Sequence, residues 1–115
     1  MSDKHTRKKA MQELLARVDA GGKIQPFLFQ DAFNNQNHVN CAGEAYDAFD
    51  GSLDAALAMH NAVLPGFLWK LDCSNATVYP LKAPDTGSGF YGMSDSPARA
   101  WLCAILKALI AECDE

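Results

Sequence analysis

The stretch from Ser52 to Asp72 constrains the fold more than any other part of the chain. Ser52 is placed to accept a hydrogen bond from the free amides of a first helical turn, and Asp54 complements the positive end of that helix's dipole. Leu53, Ala56, Leu57, His60, Val63 and Leu64 follow at helical spacing, which predicts one apolar face. Pro65-Gly66 stops the helix, because proline cannot continue it and glycine tolerates the reversal. Phe67, Trp69 and Leu71 then alternate with the period of a strand.

The flanking segments supply further helices and strands. Residues 6–20 read as a helix with Met11, Leu14, Leu15 and Val18 on one side, closed by Gly21-Gly22. Pro26 opens a short helix over Phe27–Phe33, and the asparagine-rich run 34–40 reads as a loop. Glu44–Phe49 predicts a single helical turn presenting Tyr46 and Phe49. A hairpin loop at Cys73–Ala76 leads into a strand over Thr77–Leu81, where Pro80 marks an edge or an end. Lys82 to Gly89 reads as a loop, and Gly89–Met93 as a third short strand. Ser96-Pro97 opens the last helix, cap residue then proline, and Ala98–Ala111 is apolar almost all round, interrupted only by Arg99 and Lys107. The predicted class is α+β, a small and mainly antiparallel sheet of two to three strands covered by helices on both faces. A helix as apolar as the last one must be nearly buried or lend a face to another subunit. Ala100, Cys103 and Ile110 lie toward its far side, so self-association is the expectation.

At 115 residues the chain is one domain, 1–115, with frayed ends expected at 1–5 and 114–115. No apolar run approaches the length of a membrane span, and the charged N-terminus predicts no secretory leader, hence a cytoplasmic protein. The net charge of −4 divides into +3 over residues 1–23 and −7 over the remainder. An acidic body argues against nucleic acid as a partner. The four cysteines contain no Cys-x-x-Cys pair, and His38-x-x-Cys41 alone is too few donors for zinc, so reduced structural thiols and no metal are predicted.

Two stretches together resemble a known family. Phe49-Asp-Gly-Ser-Leu-Asp-Ala-Ala-Leu-Ala-Met-His-Asn-Ala-Val-Leu-Pro-Gly-Phe67 is similar to the helix-to-strand core of the phage α-β-α (ABA) sandwich domain family. Ser94-Asp-Ser-Pro-Ala-Arg-Ala-Trp-Leu-Cys-Ala-Ile-Leu-Lys-Ala-Leu109 is similar to its closing helix. The resemblance covers roughly residues 49–110. It implies an ABA sandwich of phage or prophage origin, in the cytoplasm of a bacterial host. The family has no established activity, so no catalytic residue carries over.

Among candidate sites, Gly87-x-Gly89-x-x-Gly92 matches a dinucleotide fingerprint in letters but not in context. A loop precedes its first glycine and the helix opens only near Pro97, so no cofactor is assigned. His60 on an apolar face reads as a core or rim histidine bonded to backbone. Trp69, Tyr79, Phe90 and Tyr91, with Arg99 as a convergent polar group, are the candidate binding residues; sheet and helix cores use the same residue types. The sequence thus favours a non-enzymatic interaction module whose partner is itself or a host or phage protein. The alternative is a small-molecule-binding protein or enzyme with a pocket beneath the Lys82–Met93 loop. A filled core with a flat apolar patch would distinguish the first from the second.

Overall fold

The computed structural model describes residues 4–20, 24, 28–29, 41–64, 66–72, 75–80 and 89–112. In chain order they form helices α1 (Lys4–Ala20), α2 (Cys41–Phe49) and α3 (Leu53–Val63), strands β1 (Phe67–Leu71), β2 (Asn75–Pro80) and β3 (Phe90–Met93), and helix α4 (Pro97–Glu112). The class is α+β, with helices before and after a three-stranded antiparallel sheet of order β1-β2-β3. That element order is compatible with a small α-β-α sandwich. Gly21-Gly22, residues 30–40 and the loop at 81–88 lie outside the described residues.

Helix α4 is the centre of the molecule. Its serine cap forms as the sequence predicts: the Arg99 amide donates to Ser96 Oγ at 3.4 Å and the Ala100 amide to the Ser96 carbonyl at 2.9 Å. From Ala98 to Leu109 every residue is buried except Arg99 and Lys107. Packing around it comes from α1, α2, α3, β2 and β3. This corrects the ground on which self-association was expected. Ala100 and Cys103 are buried inside the chain, where β3 lies against them at Gly92, and Ile110 is half-buried against the core, with α1 packed on the helix as well.

The link between α2 and α3 is built from backbone alone. Gly51 N–H donates to the Ala48 carbonyl at 3.0 Å and Ser52 N–H to the Asp47 carbonyl at 2.9 Å. These are the two bonds of a Schellman cap, whose left-handed position is Gly51 at φ 111°. Ser52 then caps α3, its Oγ accepting from the Ala55 amide at 3.1 Å. Two sequence expectations change here. The turn expected at Glu44–Phe49 is part of a nine-residue helix beginning at Cys41, with Phe49 buried and Tyr46 exposed. The buried stripe of α3 is Ala56, Met59, His60 and Val63, while Leu53 and Leu57 face solvent. Leu28 and Phe29 are buried, and the Phe29 ring meets Tyr46 edge-on at 5.4 Å and Phe49 at 6.0 Å.

Register separates the two faces of the sheet. Trp69, Val78 and Phe90 lie in one row and Leu71, Ala76 and Gly92 in the next, on the side that packs on α4. Gly92 is the point of closest approach. A Cβ there would overlap the Ala100 carbonyl oxygen and stand 2.5 Å from Cys103 Cβ, so only glycine lets the strand lie against the helix. The opposite side carries Leu68 beside Tyr79, the row Lys70, Thr77 and Tyr91, and Asn75 beside Met93. Pro80 sits at the end of β2, the central strand, opposite Phe67.

Candidate functional site

Chemistry inside the molecule centres on His60, which is 1% exposed. Trp101 Nε1–H, which can only donate, points at His60 Nδ1 at 3.3 Å. Nδ1 is therefore the acceptor nitrogen, and the proton sits on Nε2, which donates to the Phe67 carbonyl at 3.0 Å. Phe67 and Pro80 face each other as a non-hydrogen-bonded pair, so that carbonyl points away from β2 to the open edge of β1, and the histidine supplies its donor. The two rings lie 5.7 Å apart, and Trp69 packs on Trp101 at 4.7 Å with the planes tilted by 40°. Burial lowers the His60 pKa below its usual 6.5, opposed by the Phe67 carbonyl, which favours the charged form. This imidazole is neutral with both nitrogens engaged, and no lone pair remains for a substrate or metal.

Cys103 is equally withdrawn. Burial first, and the Asp19 carboxylate second, push its thiol up to about 11, against the opposing pull of Lys107 and Arg99. Among the described residues no group of three His, Cys, Asp or Glu side chains could hold a metal ion. His38 lies outside them, and so does the side chain of Cys41.

The five residues proposed from sequence as a binding set do not converge. Arg99 Nε donates to the carbonyl of Phe49, the last residue of α2, and its guanidinium lies 4.2 Å above the Phe49 ring. It thereby satisfies an orphan carbonyl and the negative end of that helix. Phe90 faces α4 and packs on the core. Trp69 belongs to the same side, yet stays 43% exposed because β1 is an edge strand. Tyr79 and Tyr91 stand on the opposite side, half-buried and 58% exposed respectively. Sequence reasoning missed Leu68 and Met93, the latter 62% exposed, which join Tyr91 on that outer face. The alternation of residues 90–93 was the available signal, since one period-two face of β3 had to take Tyr91 and Met93 together.

Lys107 guards the rim of this face. Its Nζ donates to the Tyr91 carbonyl at 2.8 Å and lies 5.4 Å from the centre of the Tyr91 ring. An edge strand with a carbonyl occupied by a lysine is a poorer template for edge-to-edge pairing, so at β3 the accessible feature is the face rather than the edge. The expected loop at Lys82–Ser88, and with it the entrance of the alternative pocket, lies outside the described residues. No helix among the described residues is long and apolar enough to cross a membrane. In comparisons with family models, curated proteins and solved structures, nothing matches this chain.

Proposed function

We propose that this chain is a small phage or prophage accessory protein of the ABA-sandwich kind. In this reading it works as a non-enzymatic interaction module in the bacterial cytoplasm. Its contact surface is the outer face of the sheet, and its partner is a protein, either a second copy or a host or phage protein. One observation carries the reading. Leu68, Tyr91 and Met93 are large apolar side chains held in sheet register around Lys70 and Thr77, on the side turned away from α4. Among the described residues, the histidine and cysteine side chains point the other way: His60 is bonded at both nitrogens, and the Cys103 thiol is buried and held protonated. The element order and the stretches 49–67 and 94–109 support the family assignment.

Site-specific photo-crosslinking in host cells tests this. A photoreactive phenylalanine replacing Tyr91 or Met93 is expected to give discrete crosslinked protein bands. The same group at exposed Asp54 of α3 gives none. Equal labelling from all three positions, or from none, rejects the outer face as the contact surface.

A further inference from the structure

Three elements meet at one imidazole: α3 contributes His60, β1 the Phe67 carbonyl and α4 the Trp101 indole. We propose that His60 is an acid-operated latch that holds β1 against α4 and releases that strand ahead of the rest of the fold when Nδ1 takes a proton.

The geometry allows only one protonation state. A second proton on the ring must sit on Nδ1, where it faces the Trp101 N–H across 3.3 Å in a buried site. Neither group can become an acceptor, because imidazolium has no free lone pair and indole N–H only donates. The imidazolium must turn out of the contact or push Trp101 aside, and turning it gives up the Phe67 carbonyl. The sheet cannot replace that bond, because the Phe67 carbonyl points away from β2 to the open edge of β1.

β1 is the element that yields. Its central residues Leu68, Trp69 and Lys70 are exposed, it pairs with β2 alone, and Trp69 packs on the same Trp101 ring. Helix α4 is buried from Ala98 to Leu109 apart from Arg99 and Lys107, and stays. Charged side chains on the surrounding elements are Arg99 and Lys107 on α4, Glu44 and Asp47 on α2, Lys70 on β1 with Asp72 just after it, and Asp54 on α3. Arg99 is committed to Phe49 and Lys107 to Tyr91. Among the described residues, the influences on the ring are burial, which disfavours its charge, and the Phe67 carbonyl, which favours it.

The test is amide exchange on the full chain near neutral pH and near pH 5, corrected for intrinsic rates, beside an NMR titration of the His60 ring. Protection over Phe67–Leu71 is expected to fall about tenfold or more on acidification, while Trp101–Leu109 keeps its protection. The loss should follow the ring titration, with a midpoint below 6.5. His60→Asn, whose Oδ1 still accepts from Trp101 but which does not reach the Phe67 carbonyl and does not titrate, should show the same β1 protection at both pH values. Joint loss of β1 and α4, or a β1 transition away from the ring midpoint, overturns the latch. If His60→Asn does not fold, the coincidence of the two wild-type midpoints decides.

Discussion

Replacing Gly92 by alanine tests the packing at the heart of this fold. The added Cβ would overlap the Ala100 carbonyl oxygen, stand 2.5 Å from Cys103 Cβ and 3.0 Å from the Ala104 amide nitrogen. Carbon atoms normally meet at about 3.5–4 Å, so α4 and β3 must separate by about an ångström. Two of the three neighbours are backbone atoms of a buried helix and cannot swing aside as a side chain would. Overpacking costs about 1–3 kcal/mol where side chains can adjust, so the upper end, about 3 kcal/mol, is expected here. For a chain of this size that corresponds to a fall of roughly 10 °C in melting temperature. Urea unfolding followed by tryptophan fluorescence and far-UV circular dichroism reads it, with Gly43→Ala as the control. A Cβ on Gly43, at an exposed position of helix α2, meets nothing within 4 Å, so that change should stabilise by about 0.5–1 kcal/mol. A Gly92→Ala midpoint indistinguishable from wild type would mean that β3 does not lie on α4 as described.

Trp101→Phe keeps most of the buried ring but removes the donor to His60, and should cost about 1–3 kcal/mol; Trp101→Ala adds a cavity and should cost about 3–5 kcal/mol. Equal midpoints for the two variants would show that the indole N–H contributes nothing. His60 has a lowered pKa in the folded state and the ordinary 6.5 when unfolded, so the unfolded chain binds the extra proton first. Stability should be complete above 6.5 and decline as pH falls from there toward the folded value, and a urea-midpoint series should show that slope flattened in His60→Asn. Ser52→Ala should lose about 1 kcal/mol, and Ser52→Gly only a few tenths, because glycine is itself tolerated at an N-cap.

What was legible in the sequence is what is decided locally. Ser52 and Ser96-Pro97 announce helix starts through bonds to amides three residues on, and the strands announce themselves by alternation. The rotation of α3 was not legible. Ala, Leu and Met share its faces so evenly that Leu53 and Leu57 looked as suited to burial as Met59. Deciding between them requires the partner helix. Contacts distant in the chain were also out of reach: Arg99 meets Phe49 across 50 residues and Trp101 meets His60 across 41. One signal could have joined the latter pair. A histidine on an apolar face and a tryptophan in the most apolar helix each need a polar partner when buried, and each could satisfy the other. Of the candidate binding residues, Phe90 proved to be core and Tyr91 surface, because adjacent strand residues point to opposite faces.

The account's central claim is that the outer face is spare for folding and used for contact. The direct measurement is crosslinking yield from a photoreactive phenylalanine at Leu68 in the Tyr91→Ser, Met93→Ser double variant, at matched folded concentration. Both side chains are largely exposed, so the unfolding free energy should stay within about 0.5 kcal/mol per site of the parent. Loss of the crosslinked product with the fold intact is the predicted result. An undiminished product would contradict the claim.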